Sequence, residues 1–186
     1  MDKKPILQLE GFKYTINQQN HTANVIGTIF QSEDVLILRS IRLQDQEYTI
    51  VSIGPGAFSK NKNIKTIRFA ENSELRMIDK ESFSSSTLEK IIIPPHVQQI
   101  GDRAFQNCKK LQTVEFLENS EIQTIGNFAF SSTSLKRFSI PSHVRTIGEG
   151  CFSYNPQLSS LWVSPSNKHI IFKNNYLLYR ENEYSD

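Results

Sequence analysis

The residues best suited to nucleophilic or metal chemistry in this chain are two cysteines, Cys108 and Cys151, and four histidines, His21, His96, His143 and His169. A cysteine nucleophile needs a neighbouring base and an exposed thiolate. A metal site needs ligands that converge within bonds of about 2.1 Å. Motif spacing supplies neither. No H-E-x-x-H, C-x-x-C, G-x-S-x-G, Walker-A loop or G-x-G-x-x-G occurs. Aspartate stands only at positions 2, 34, 45, 79, 102 and 186, with no acid pair recurring at a spacing that would serve general acid–base work. The chain is therefore expected to be non-enzymatic, with no cofactor, no metal and no small-molecule substrate. Asn20-His21-Thr22 has the form of an N-glycosylation sequon, which matters only on a glycosylating secretory route.

Composition narrows the class further. At 186 residues, 38% hydrophobic and 22% charged, the chain is long enough for one domain with its own core. A net charge of +2 is too small for the strongly basic face of a nucleic-acid binder. Two cysteines do not make a disulfide-dense secreted scaffold. No run approaches the roughly 18 apolar residues of a membrane-spanning helix. The first ten residues lack the apolar stretch of a signal peptide.

The elements that position these residues come from an internal repeat. Ile53-Gly54-Pro55-Gly56-Ala57-Phe58 returns at Ile78–Phe83, Ile100–Phe105, Ile125–Phe130 and Ile147–Phe152. The Phe positions advance by 25, 22, 25 and 22 residues. The period is thus a 47-residue pair of unlike repeats, and segments 71–105 and 118–152 share 16 of 35 aligned residues. After each Phe comes a second signature: Ile64-x-x-Ile67-x-Phe69, Leu88-x-x-Ile91-x-Ile93, Leu111-x-x-Val114-x-Phe116, Leu135-x-x-Phe138-x-Ile140 and Leu158-x-x-Leu161-x-Val163. The last two apolar positions of each are two apart, as on one face of a strand. A coil with one short strand cannot close a core alone. Stacked coils pair those strands in parallel and bury the rungs between them.

The pattern L-x-x-I-x-I-P-x-x-V-x-x-I-G-x-x-A-F runs from Leu88 to Phe105 and again from Leu135 to Phe152, with Cys151 in the Ala place. In this the chain resembles the BspA-like, Treponema-type leucine-rich-repeat family of bacterial and protist surface proteins, over roughly residues 12–179. The resemblance implies a leucine-rich-repeat solenoid, a right-handed α/β superhelix dominated by β structure. A parallel sheet would line the concave face, with short helical or 3-10 turns on the convex face and a β-rich N-terminal cap. The segments read as a cap at 1–50, five coils of alternating 25 and 22 residues at 51–163, and a terminal coil, hairpin and tail at 164–186. The resemblance also implies a surface antigen or adhesin that binds host proteins or matrix, at the cell surface or outside the cell. The alternative, given no visible leader or anchor, is a cytoplasmic scaffold or regulator that binds a cytosolic protein.

The repeat reassigns the reactive residues. Cys151 takes the place of Ala57, Ser82, Ala104 and Ala129, and Cys108 that of Asn61, Ser86, Thr133 and Asn155. Both read as buried free thiols, with the Cys108 row satisfying backbone groups of the turns. They lie on different coils and at different repeat positions, too far apart for the Cα separation of a disulfide. His96 and His143 are one repeat position two coils apart, about 10 Å, which no single metal spans. Glu71, Glu74, Glu118 and Glu121 read as a solvated acidic edge.

A partner is expected on the strand face, where solenoids present rows of outward side chains. One row is Thr66, Lys90, Thr113, Arg137 and Ser160; the next is Arg68, Ile92, Glu115, Ser139 and Trp162; a third is Ala70, Pro94, Leu117, Pro141 and Ser164. The candidate contact residues are Arg68, Lys90, Ile92, Thr113, Glu115, Arg137, Ser139 and Trp162. Trp and Arg are favoured interface anchors, so Arg137 with Trp162 leads. The competing reading covers Trp162 with a hairpin at residues 176–179. A second copy of the chain could also pair along an exposed terminal edge.

Overall fold

The computed structural model describes residues 6–29, 31–173 and 176–179. The strands in chain order begin with β1 (Ile6–Leu9), β2 (Phe12–Asn17), β3 (Thr22–Thr28), β4 (Asp34–Ile37), β5 (Ser40–Leu43) and β6 (Gln46–Ile53). Four-residue and two-residue strands then alternate: β7 (Thr66–Phe69), β8 (Met77–Ile78), β9 (Lys90–Ile93), β10 (Gln99–Ile100), β11 (Thr113–Phe116), β12 (Thr124–Ile125), β13 (Arg137–Ile140), β14 (Thr146–Ile147) and β15 (Ser160–Val163). An antiparallel pair, β16 (Ile170–Lys173) and β17 (Tyr176–Tyr179), follows. Each repeat thus supplies one long and one short strand, and like strands stack in parallel. The chain is a solenoid.

Two ladders run along its length. The short strands form one sheet in the order β6-β8-β10-β12-β14, extended at its start by β3, β2 and β1, with β5 hairpinned onto β6. The four-residue strands form the other, in the order β4-β7-β9-β11. β4, from the segment read as the cap, is the first rung of this second ladder, with Leu36 opposite Arg68. The ladder then breaks: β13 pairs with β15 in a separate two-stranded sheet. The break falls where the inward residue changes from Ile67, Ile91 and Val114 to Phe138. That ring packs at 5.8 Å from Phe116, 4.9 Å from Phe130 and 4.8 Å from Phe152.

The repeated phenylalanines fill the centre. Phe58, Phe83, Phe105 and Phe130 are buried and stack face to face at 5.1, 5.2 and 5.1 Å, with planes within 4° of parallel. Those separations are close to the spacing of neighbouring strands, about 4.8 Å. One ring per coil therefore packs on the next without disturbing the backbone ladders. Ile53, Ile78, Ile100 and Ile125, and Ile64, Leu88, Leu111 and Leu135, line the same core with no exposed surface. Burial thins at the far end, where Phe152, Leu158, Leu161 and Val163 are only partly covered.

The wall holding the phenylalanines corrects one expectation. No helix or 3-10 turn occurs among the described residues. Each coil instead makes successive β-turns: Ala57 N–H donates to Gly54 O, Ser59 to Gly56 O and Asn61 to Phe58 O. The alternate N–H groups leave the coil, so that Gly56 donates to Lys80 O, Phe58 to Ser82 O and Lys60 to Ser84 O. A 3-10 helix would have needed those donors internally. This arrangement places the residues two before and two after every repeated Phe at φ between 54° and 64°. Eight of these ten are not glycine: Lys60, Glu81, Ser85, Arg103, Asn107, Phe128, Ser132 and Tyr154. Left-handed backbone costs an L-residue about 1–2 kcal/mol, so the inter-coil hydrogen bonds must offset that in every repeat.

Small polar side chains close the remaining backbone groups. Asn155 Nδ2 donates to Phe130 O at 2.7 Å and Phe152 O at 3.0 Å. Thr133 Oγ1 donates to Asn155 Oδ1 at 2.7 Å. Cys108 Sγ donates to Phe83 O at 3.0 Å, and Asn61 Oδ1 accepts from the N–H groups of Asn63 and Ile64. The row containing Cys108 thus serves the turns, and both thiols are free and buried. Burial pushes the Cys108 thiol up to about 11 and the Cys151 thiol up to about 12.

Three outcomes follow for stability. Ser82 Oγ is the one buried side-chain oxygen or nitrogen without a partner among the described residues, at a place where three other coils carry Ala. Ser82→Ala should raise stability by about 1 kcal/mol, a rise of roughly 2–4 °C in melting temperature. At Gly126 an added Cβ would meet Asp102 N and Oδ1 at 2.5 Å, so Gly126→Ala should cost about 1–3 kcal/mol in urea titration. The thiols ionise on unfolding near their ordinary value of 9.0 but hold their protons higher in the fold. Their contribution to stability is full below that pH and lost as pH rises through about 11 to 12. Native protein at about pH 8 should therefore resist iodoacetamide at both positions, and denatured protein should react at both.

Candidate partner-binding face

The outward residues of the four-residue strands form a surface with alternate side chains pointing to solvent. Arg68, Lys90, Glu115, Arg137 and Ser139 are exposed, and Thr113 is half-buried. Ile92 is 41% exposed and Trp162 52% exposed; the hairpin side chains read as a cover for the tryptophan lie outside the described ones. Register sets Thr113 opposite Lys90, Glu115 opposite Ile92, Arg137 opposite Ser160 and Ser139 opposite Trp162. The structure places the eight candidates on one face but not on one sheet. Arg68, Lys90, Ile92, Thr113 and Glu115 belong to the ladder ending at β11, while Arg137, Ser139 and Trp162 belong to β13 and β15. Of the third row, Leu117 is exposed and Pro94 is buried.

Sequence reasoning missed the contribution of β4. Leu36 and Leu38 are 44% and 40% exposed, and Leu36 and Asp34 extend the outward rows by one strand. The signal was the apolar pair Val35-x-Ile37, spaced like the later inward pairs. The face is therefore apolar at Leu36, Ile92, Leu117 and Trp162, with charges set between these residues.

Two clefts open on it. One, of about 540 Å³, is lined by Asp34, Arg68, Lys90, Ile92, Pro94 and Leu117 among others. The second, of about 500 Å³, lies over the break between β11 and β13 and is lined by Glu115, Leu117, Glu118, Arg137, Ser139 and Trp162 among others. Leu117 is common to both. Within the face Lys90 Nζ lies 3.1 Å from Glu115 Oε1, and the Thr66 hydroxyl donates to Asp34. Arg68 and Arg137 have no ion pair among the described residues.

Of the recurring glutamates, Glu118 lines the second cleft, and Glu74 and Glu121 have neighbours of their own. Glu121 Oε1 lies 2.9 Å from His96 Nδ1, and this hydrogen bond holds the Glu121 carboxyl below its usual range. Glu74 lies 3.7 Å from Arg76, and His143 Nδ1 lies 3.2 Å from Ser142 Oγ. The two repeat-related histidines thus have separate local neighbours.

Comparison with known proteins agrees with this geometry. The pneumococcal vaccine antigen PcpA superposes with a TM-score of 0.78 at 22% identity, over 97% of this chain and 55% of that one. The leucine-rich-repeat protein of T. pallidum superposes with a TM-score of 0.73 at 22% identity, over 83% of this chain and 70% of that one. A leucine-rich cell surface protein from Faecalibacterium prausnitzii gives 0.55 at 18% identity, over 97% and 60%. The chain thus spans little more than half the length of the pneumococcal antigen. At these identities the likeness is one of fold. No curated protein matches the sequence. Residues 76–175 match the BspA type leucine-rich-repeat region in six copies, and with more than half its length so matched, and coils that stack as such repeats do, the chain belongs to the BspA-type leucine-rich-repeat family.

Proposed function

We propose that the chain is a surface-antigen or adhesin-type module that binds a host or matrix protein through its strand face. The protein-interaction role is that of the repeat family. The observation that carries the site is the exposed apolar set on that face, Leu36, Ile92, Leu117 and Trp162, among cations and over two clefts. Large apolar side chains clustered on one face mark interaction surfaces, and Trp and Arg supply most anchoring energy where partners meet. Two of the structural relatives are described as a vaccine antigen and a cell surface protein, which supports the surface location.

The test is binding to immobilised matrix and host-surface protein, with the cell's own cytosolic extract as the second pool. Arg137→Glu combined with Trp162→Ala should weaken capture from the first pool at least tenfold. Its melting temperature should move by no more than about 2 °C, because both side chains are exposed. Equal capture by the wild type and the double variant would remove the strand-face assignment. Capture from the cytosol alone would favour an intracellular scaffold.

A further inference from the structure

The strand face has a specific charge pattern. Its two clefts adjoin at Leu117, which lines both, and taken together as a groove they have Arg68 in one part and Arg137 and Trp162 in the other. Between the arginines the exposed floor is Ile92 and Leu117. The remaining charges on the outward rows are engaged, Lys90 with Glu115 and Asp34 with the Thr66 hydroxyl. Glu118 lines the second cleft as well. It follows Leu117, one residue past the third outward row, whereas Arg137 stands in the first. On the outward rows, the cations without an acid partner among the described residues are therefore the two that bracket the apolar floor.

We infer that the groove takes an extended protein segment with two acidic residues flanking an apolar one. The inference rests on the strand-face reading and names the partner's chemistry. Arg68 and Arg137 lie three strands and one outward row apart. Their coils are three steps of 5.1, 5.2 and 5.1 Å apart along the phenylalanine stack, and one row adds about 6.6 Å across, so the backbones stand about 17 Å apart. An extended chain rises about 3.3 Å per residue, so the two acids stand about five residues apart, with the apolar side chain at Ile92 and Leu117 between them. Each arginine can take a carboxylate through two parallel hydrogen bonds. The segment crosses the strands rather than adding to an edge, so specificity comes from side chains.

The experiment is selection of a displayed random twelve-residue peptide library on the full chain, followed by affinity measurements on the enriched peptides. Acidic pairs four to six residues apart around an apolar residue are expected. Arg68→Glu and Arg137→Glu should each weaken such a peptide at least tenfold. Glu115→Gln, which releases Lys90, should tighten it several-fold. Raising the salt concentration should weaken it. Enriched peptides with no acidic bias that still lose affinity with Trp162→Ala would overturn the charge pattern and leave the strand face standing. Peptides indifferent to every one of these substitutions, or no enrichment over a bare support, would overturn both.

Discussion

Everything in this solenoid depends on one constraint: each coil must hand its spare backbone donors to the next. The two strand ladders do so in the ordinary way. The turn wall does so as well, with every second N–H directed out of its coil. Buried backbone donors left unpaired would each cost on the order of 1–3 kcal/mol, so the demand is strict. It fixes the coil separation close to strand spacing, and only side chains that stack at that separation can fill the interior. Phenyl rings 5.1–5.2 Å apart meet the condition. The left-handed residues, the glycines pressed against the preceding coil and the row of Asn, Thr and Cys are consequences of the same requirement.

The strand face is what this constraint leaves free. Inward positions must be apolar and turn positions must satisfy hydrogen bonds, but outward strand positions answer to neither. There the repeats stop resembling each other: Arg68, Ile92, Glu115, Ser139 and Trp162 share one row. The residue types of this face vary while its geometry repeats, and its apolar points are exposed to a degree the core does not require.

Much of this could be read in the sequence. The Phe period set the coil length, and the pair of apolar residues two apart set the inward and outward positions, so the candidate residues share one outward face. The first rung was hidden because the hairpin β5–β6 lies between Ile37 and Phe69 and stretches the interval to 32 residues. The form of the turn wall was hidden because residues such as Lys60, Ser85 and Phe128 carry no mark of a left-handed backbone. The interruption between β11 and β13 was hidden because Phe138 satisfies the apolar pattern while differing in bulk from Ile67 and Ile91. Pattern reports polarity; it does not report ring size or whether Trp162 is covered.

That interruption has a mechanical consequence. Between the third and fourth coils the other two walls stay cross-linked: Phe105 and Asn107 donate to Ala129 and Ser131, and Gly126 donates to Ile100. Only the strand face lacks its ladder there. A tube stiff on two sides and slit on the third concentrates its compliance at the slit, like a ruler scored across one surface. Flexing there changes the distances that span the slit, the one between the arginines among them. A partner that gripped both sides of the slit would act as a splint across it.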